Sequence, residues 1–334
     1  MSELKQSINR TQIIGTLKEM NMEVTTKEVT LKGGNGVEKK VTCNQIGKKE
    51  FKNPMFIVEV NGMDVDVDYF PVAEKKIDDN GAIVDNPRYK ALETVMETYV
   101  PKCKDSENAT RVKIDGSLRA NEYVDKTSLE WKTFPSIYGF QITSSGVPEE
   151  DIADCEISGV IRSIIPEVKD EKETGRLKVE LYSFDNNGAT TPATFIVEED
   201  LAGDFTDFYE AGQSVKIYYE VVTRQVGAKK STGGGFGRRD SQMISGFKVT
   251  EYSVFRGDDP FDEENEYFVD IDTMKKAMNE RELMIEQKIK EAKEGGSKAQ
   301  TSSSPKGASA KSEGKTNPFG NSSAQTATTK KSPF

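Results

Sequence analysis

A stretch from Arg224 to Gln242 contains the side chains in this sequence that are best suited to hold a polyanion. It has five cations and one carboxylate in a chain whose formal net charge is −10: Arg224, Lys229, Lys230, Arg238, Arg239 and Asp240. Phe236 lies among the cations, and glycines surround it. Cations neutralise phosphates, and an aromatic ring stacks on an unpaired base, so this composition indicates contact with nucleic acid.

Two other interpretations of this stretch stay open. A flexible surface loop needs no ligand, since glycine and serine are common in solvated connections. A nucleotide-binding phosphate loop would need the pattern GxxxxGK[ST] between a strand and a helix, and this stretch has neither the pattern nor that position. Contact with nucleic acid is the interpretation that accounts for the cations and the ring together.

A second group of aromatic and basic side chains lies between residues 119 and 134, in a predicted loop between two strands. It contains Arg119, Tyr123, Lys126, Trp131, Lys132 and Phe134. Aromatic rings in such a loop either fill a core or form stacking platforms for bases. We predict that Arg119, Tyr123, Trp131, Lys132 and Phe134 bind nucleic acid together with the cations and the ring of the first group.

A third candidate is a row of carboxylates, Asp64, Asp66 and Asp68, which alternates with apolar residues. Side chains two residues apart on a strand share a face, so the row is either a solvated outer face or a site for a divalent cation, as in nucleases. The chain has no histidine, which excludes Ser-His-Asp and Cys-His catalysis and histidine-containing zinc sites. We expect a protein that is not an enzyme and that holds no metal or other cofactor.

The cysteines and the termini indicate the compartment. Cys43, Cys103 and Cys155 are widely separated and form no CxxC pair, which predicts free thiols and argues against a disulfide framework. The first residues lack the apolar core of a signal peptide, and no run approaches the roughly 18 apolar residues of a membrane span. We expect a cytoplasmic protein that does not contact a membrane.

An internal repeat indicates the elements that position these groups. Three short matches occur in the same order in the two halves of the chain, which two copies of one structural unit explain. Residues 15–24 are matched by 159–168, residues 112–114 by 215–217, and residues 137–143 by 244–250.

Each copy is predicted to have the order strand, strand, strand, helix, strand, strand. In the first copy, Asn61-Gly62 predicts a hairpin between residues 55–60 and 63–70, because this dipeptide favours the tight turns of hairpins. The helices are predicted over residues 87–99 and 198–209. This order is that of the OB-fold, so the fold class is mainly β: two tandem OB-type five-stranded Greek-key barrels, a C-terminal helix and a disordered tail.

Changes in composition give the domain boundaries. Residues 1–146 form the first barrel with a helical insertion, and residues 147–256 form the second with the basic Gly-rich loop. Residues 257–294 are an acidic segment and a helix whose apolar stripe docks on the body, is solvated or self-associates into a homo-oligomer. Residues 295–334 contain no Val, Ile, Leu or Met and are predicted to be a disordered cationic tail ending in Pro-Phe.

The acidic segment, residues 257–272, contains eight carboxylates in sixteen residues. Three roles are open for it. It is a solvated connector, it shields the basic loop when no nucleic acid is bound, or it presents its charge to a basic partner protein. The second and third roles follow from the repulsion between dense carboxylates and phosphates.

The sequence resembles single-stranded DNA-binding proteins of the OB-fold kind, particularly the phage-encoded type with more than one barrel. The residues that carry the resemblance are VKIDGSLRANEY at 112–123, IYGFQI at 137–142 and ISGFKV at 244–249. Similar proteins end in a disordered linker and a tip that closes on Pro-Phe, as this chain does. Bacterial members recruit replication and repair enzymes through acidic residues before that tip, whereas this tip is cationic and Asp258-Asp259-Pro260-Phe261 is the nearest acidic pattern.

The resemblance implies a protein that coats and protects single-stranded DNA during replication, recombination or repair, without sequence specificity or catalysis. Its further partners would be replication or recombination proteins, bound through the acidic segment or the tail. The alternative is a structural or adaptor protein, a phage virion or replication-complex component, without affinity for nucleic acid. A carboxylate-dependent nuclease that uses Asp64, Asp66 and Asp68 is a third possibility.

Overall fold

The computed structural model describes residues 5–34, 36–169, 171–185, 188–226 and 247–299 of the 334-residue chain. Within these residues the strands are β1 (Asn9–Met20), β2 (Met22–Lys32), β3 (Glu38–Lys48), β4 (Phe56–Val60), β5 (Met63–Asp68), β6 (Val72–Ala73), β7 (Lys75–Ile77), β8 (Ile83–Asp85), β9 (Arg111–Val124), β10 (Trp131–Thr143), β11 (Ile152–Lys169), β12 (Lys172–Phe184), β13 (Thr190–Val197), β14 (Ser214–Val226) and β15 (Phe247–Gly257). The helices are α1 (Pro87–Thr98), α2 (Glu199–Phe208) and α3 (Ile271–Ala299).

Five strands close the first barrel. β1 pairs with β4 and β9, β4 pairs with β5, and β9 pairs with β10. β10 then runs parallel to β5 and closes the barrel. The predicted hairpin is confirmed, because Val60 pairs with Met63 and both Asn61 and Gly62 have the positive φ angles of a tight hairpin turn, 49° and 77°.

The second barrel repeats this topology. β11 pairs with β12 and β14, β12 with β13, and β14 with β15, and β13 runs parallel to β15 to close the barrel. α1 and α2 occupy the same place, between the third and fourth strands of their barrels. The predicted fold class is confirmed as mainly β with OB-type barrels.

The repeated glycines Gly15 and Gly159 hold equivalent positions in the first strand of each barrel. Gly15 pairs with Val112 and Gly159 pairs with Val215, so the first two sequence matches are in structural register. A β-carbon at Gly15 would collide with the backbone oxygen of Glu59, and one at Gly159 would collide with that of Tyr182. Glycine is therefore needed where the first strand crosses closely over the second.

We expect Gly159→Ala to destabilise the protein by about 1–3 kcal/mol, because the added methyl group must push two paired strands apart. Urea unfolding measures this change as a lower midpoint. Gly203→Ala in α2 is the matched control, since its β-carbon would point into open space and alanine favours a helix. Equal midpoints for both variants would contradict the assigned role of Gly159.

The third sequence match is out of register and does not mark equivalent residues. Ile142 pairs with Ile114, whereas Ile217, the equivalent of Ile114, pairs with Gly257. The sequence match pairs Ile142 with Val249. In the structure, however, Val249 lies opposite Arg224, well beyond Ile217 on β14. The match fails here because both hairpins continue well past the closure of their barrels, and a seven-residue match cannot show where along a long hairpin it belongs.

The two barrels share a hydrogen-bonded seam. Residues Asn9–Ile14 of β1 pair antiparallel with Ile157–Ile152 of β11, while β9 flanks β1 on its other side and β14 flanks β11. β10, β9, β1, β11, β14 and β15 therefore form one continuous six-stranded sheet across both barrels. Thr11, Ile13, Cys155 and Ile157 are buried on one face of this sheet, towards the continuous core of the barrels, so its other face is the outside of both barrels.

The first barrel carries a hairpin insertion that the prediction did not separate from the barrel. β2 and β3 lie between β1 and β4 in the chain, pair over their whole length and form a separate three-stranded sheet with β6, which follows β5. Lys32 of β2 and Glu38 of β3 are the last pair of this extra hairpin before its turn. Its strands show the same alternation as barrel strands, so the sequence pattern alone did not distinguish them.

The C-terminal helix is confirmed and its apolar stripe is docked. Met274 and Ala277 of α3 are buried against Val160, Tyr182 and Phe184 on the second barrel. The chain divides into two compact units at residues 292 and 293, and the described residues of the second unit, 293–299, are the end of α3.

The cysteines are free thiols, as predicted. Cys43 and Cys155 are buried and Cys103 is exposed. Burial raises the pKa of Cys155 to about 12, so this thiol stays protonated within the seam between the barrels.

Candidate nucleic-acid interface

Beyond the first barrel, β9 and β10 continue as a two-stranded ribbon. The pairing extends from Leu118 opposite Ile137 to Val124 opposite Trp131. Residues directly opposite each other on antiparallel strands share a face, and successive residues alternate between faces. The ribbon therefore has an outer face, continuous with the outside of the barrel, and an inner face, continuous with its interior. The residues predicted in a loop thus lie mostly on strands.

Four of the predicted residues lie on the outer face of the ribbon: Arg119, Tyr123, Lys132 and Phe134. Tyr123 is opposite Lys132 and Phe134 is opposite Asn121. The rings of Tyr123 and Phe134 stack with their centroids 6.1 Å apart and an interplanar angle of 22°. Tyr123 is 46% exposed and Phe134 is 50% exposed, so this stacked pair keeps an accessible ring surface.

Two further aromatic residues, Phe70 and Tyr138, extend the outer face. Their rings stack with centroids 4.5 Å apart, and the Arg119 guanidinium lies 5.3 Å from the centroid of Phe70. Sequence reasoning missed both. The alternation along β10 could have indicated Tyr138, which lies four residues after Phe134, but Phe70 reaches this place only through the parallel pairing of β5 with β10.

The two cations of the outer face differ in their partners. The Lys132 ammonium lies 2.7 Å from the Glu130 carboxylate, and this hydrogen bond raises the pKa of Lys132. The Arg119 Nε donates to the Ser117 hydroxyl at 3.3 Å, and no carboxylate of the described residues forms an ion pair with Arg119. Arg119 is therefore the cation of this face that is best placed to bind a phosphate.

A cavity of about 410 Å³ opens beside this aromatic face, between the ribbon and the second barrel. Residues 117–122 line one side, together with Phe70 and Tyr138, and residues 183–185 with Thr191 line the other. The volume lies within the usual range of ligand-binding clefts. The cavity continues the aromatic face towards the second barrel.

Trp131 lies on the inner face of the ribbon, away from the other four residues. The Lys288 ammonium of α3 lies 5.3 Å from its ring centroid. On the same face, the Arg281 guanidinium pairs with Glu122 and donates to the backbone oxygen of Thr190 at 3.0 Å. The structure therefore places Trp131 under the C-terminal helix, where α3 fastens the ribbon to the second barrel.

Arg224 belongs to an ion network on the second barrel. Its guanidinium lies 2.7 Å from Glu198 and 3.1 Å from Glu251. Arg176 lies 2.6 Å from the same Glu251 and 3.3 Å from Glu167, which is almost fully buried. Arg224 is thus neutralised by carboxylates, in contrast to Arg119. Lys229, Lys230, Phe236, Arg238 and Arg239 lie outside the described residues.

Two of the three carboxylates in the row, Asp64 and Asp68, are paired with lysines. Asp64 pairs with Lys18 at 2.6 Å and with Lys248 of the second barrel, and Asp68 pairs with Lys48 at 2.6 Å. Partial burial would raise the pKa of Asp64, but the hydrogen bonds from Lys18 and Lys248 outweigh it and lower the pKa. These carboxylates tie strands and barrels together, and among the described residues no group of three acidic or cysteine side chains is arranged for a metal ion.

The fold and this face define a protein with two OB-type barrels joined by one sheet and with an aromatic ribbon on its outside. Residues 7–291 match the sequence model of the family described as YorF, which spans most of the chain. The chain belongs to the YorF family. No curated protein matches its sequence.

Two solved structures of the single-stranded DNA-binding protein from Thermus aquaticus align with this chain. A deletion mutant of that protein aligns with a TM-score of 0.39 and 11% identity, over 77% of this chain and 97% of that one. The wild-type protein aligns with a TM-score of 0.39 and 10% identity, over 77% and 95% of the two chains. Among the described residues of this chain, no helix has the length and apolar character of a membrane span.

Proposed function

We propose that this protein binds single-stranded DNA on the outer face of the β9–β10 ribbon. The observation that carries the proposal is the stacked pair of Tyr123 and Phe134, each about half exposed, on the same face as Arg119. Exposed aromatic rings cost free energy in water, and an unpaired base that stacks on them recovers it. Arg119 supplies a charge for the adjoining phosphate.

The chemistry of this face favours single strands over duplexes. Stacking needs the flat surface of a base, and a duplex keeps these surfaces covered by neighbouring base pairs. Stacking also accepts every base, so we expect little sequence preference. Base after base can then be held along the ribbon and into the cavity beside Phe70 and Tyr138.

A protein of this kind would coat and protect exposed single strands during DNA replication, recombination or repair. It would act by binding alone, without catalysis. The cations of the Gly-rich stretch, with Lys229 and Arg238 among them, would add phosphate contacts to those of the ribbon. Replication or recombination proteins would be its further partners, and a phage-encoded origin is consistent with the resemblance noted in the sequence.

The proposal is tested by fluorescence anisotropy of a labelled oligo-dT titrated with the full-length protein at two salt concentrations. We expect saturable binding that weakens as salt rises, because phosphate contacts release counterions. A labelled duplex of the same length is the control and should bind much less. An anisotropy that stays flat with the single strand would overturn the proposal and leave the adaptor protein, and shortening of the oligonucleotide in Mg²⁺ would indicate a nuclease.

Anisotropy is preferred to tryptophan quenching for a structural reason. Trp131 lies on the inner face of the ribbon beneath Lys288, so a ligand on the outer face does not touch its ring. An unchanged tryptophan signal would therefore be compatible with binding. A labelled oligonucleotide reports binding wherever the ligand lies.

A further inference from the structure

A second cluster of cations and aromatic rings lies on the outside of the second barrel, on β14 and β15. The ring of Tyr218 is flanked by two cations, the Lys216 ammonium at 4.7 Å and the Arg256 guanidinium at 4.6 Å from its centroid. Tyr218 is paired with Arg256 across the two strands. Phe255, whose ring is 6.5 Å from that of Tyr218, is also exposed here.

The carboxylate of Asp258 occupies the centre of this cluster. It accepts a hydrogen bond from the Tyr218 hydroxyl at 2.9 Å and one from the Arg256 guanidinium at 3.1 Å. The Lys216 ammonium lies 3.9 Å from the same carboxylate. An ammonium, a guanidinium and a hydroxyl that converge on one anionic group are the donors that bind a phosphate.

The backbone of Asp258 is held independently of its side chain. Its N–H donates to the carbonyl of Lys216 at 3.0 Å, and its own carbonyl accepts from the Tyr209 hydroxyl at 2.6 Å. Burial, with the nearby carboxylates of Asp258 and Asp259, raises the pKa of Tyr209 to about 12, so this donor stays protonated at neutral pH. A change of the Asp258 side chain therefore leaves the chain anchored.

We propose that Lys216, Tyr218 and Arg256 form a second phosphate-binding site for single-stranded DNA, in which the Asp258 carboxylate takes the place of a backbone phosphate until DNA displaces it. This inference rests on the proposed function. Asp258, at the start of the acidic segment, would compete with DNA for the donors of Lys216, Tyr218 and Arg256. A backbone phosphodiester offers acceptor oxygens and carries the same single negative charge as the carboxylate.

The position of this site allows one DNA strand to contact both this site and the ribbon. Tyr138 and Arg119 of the first barrel and Tyr218 and Arg256 of the second lie on the same outer face of the six-stranded sheet. Strands are spaced about 4.8 Å apart, so β10 and β15 are separated by roughly 24 Å along the sheet. A long oligonucleotide can reach both sites, and a very short one cannot.

The carboxylate of Glu156 limits the strength of the second site. Lys216 also pairs with Glu156 at 2.7 Å, and Glu156 lies 3.3 Å from the exposed Arg10. Glu156 keeps part of the positive charge of Lys216 neutralised whether or not Asp258 is displaced. Arg256, which is exposed and has Asp258 as its ion-pair partner among the described residues, therefore supplies most of the charge available to a phosphate.

The test compares the wild-type full-length protein with Asp258→Ser, using labelled oligo-dT of about 16 and about 4 nucleotides, lengths that bracket the usual site sizes of an OB barrel. We expect Asp258→Ser to bind the long oligonucleotide roughly tenfold more tightly and the short one, held by the ribbon alone, unchanged. The salt dependence for the long oligonucleotide should steepen by about 0.7 in log K against log salt for each phosphate gained. Arg256→Gln added to Asp258→Ser should cancel the gain.

Asp262→Asn is the matched control, because it removes one charge from the same segment, but among the described residues its carboxylate accepts only from the backbone N–H groups of Glu264 and Asn265. Equal gains in Asp262→Asn and Asp258→Ser would overturn the inference in favour of general charge repulsion. If the wild type binds the long oligonucleotide and Asp258→Ser binds it no more tightly, the inference is overturned and the proposed function stands. Absence of binding by every variant would overturn the proposed function as well, and binding by Asp258→Ser alone would support both.

Discussion

Alanine at Phe134 is expected to weaken the binding of oligo-dT by roughly tenfold or more. Removing one ring that stacks on a base costs about 1–3 kcal/mol, and 1.4 kcal/mol corresponds to a factor of ten in Kd. Phe134 stacks on Tyr123 at the outer face of the ribbon, so its loss also removes the support of the second ring. Titration by anisotropy at one fixed salt concentration measures the change.

Phe208→Ala is the control for this variant. Phe208 is 49% exposed, almost as much as Phe134, but it lies at the end of α2 and packs against Tyr209. We expect its replacement to leave unchanged the affinity for an oligo-dT of about 4 nucleotides, which the ribbon alone holds. Equal affinities of the wild type, Phe134→Ala and Phe208→Ala, with all three proteins folded, would remove the ribbon from the binding site.

Arg281→Met is expected to lower the free energy of unfolding by about 3–5 kcal/mol, the usual cost of removing one partner from a buried ion pair. The side chains of Arg281 and Glu122 are only 8% and 17% exposed. Methionine would leave the Glu122 carboxylate without its partner and the Thr190 carbonyl without the donor from Arg281. Urea unfolding followed by circular dichroism measures the loss.

A double replacement separates the ion pair from simple packing. Glu122→Met combined with Arg281→Met removes both charges, so we expect it to be more stable than Arg281→Met alone. Lys276→Met is the surface control, since the Lys276–Glu280 pair of α3 is largely exposed and contributes little. A double variant less stable than the single one would mean that packing, and not the unpaired charge, holds α3 to the ribbon.

Local signals predicted the barrels well. Asn61-Gly62 predicted its hairpin because only residues that tolerate positive φ fit this turn. Gly15 and Gly159 marked equivalent crossings because any larger residue collides with the second strand. Both signals depend on a few adjacent residues and on steric limits that hold in any fold.

Which of the predicted residues share one face depends on strand pairing, and neighbouring residues in the sequence do not determine it. Trp131 and Phe134 are three residues apart, so a strand places them on opposite faces, whereas a loop allows either arrangement. The sequence suggested a loop, and the structure has a ribbon with a fixed alternation. Phe70 and the Asp258 cluster could not be predicted, because parallel pairing and long-range ion pairs bring together residues that lie far apart in the chain.

The seam between β1 and β11 determines how the two barrels can cooperate on a ligand. When two binding modules are joined by a flexible linker, the second module binds the same ligand at an effective concentration that the linker sets. The gain in affinity therefore depends on the length of the linker. Here no linker separates the two surfaces, because main-chain hydrogen bonds fix one against the other. The entropy of orienting the second barrel is lost on folding and not on binding. The distance between the two surfaces is therefore fixed by the fold, and under the proposed function it sets the shortest single strand that both can hold at once.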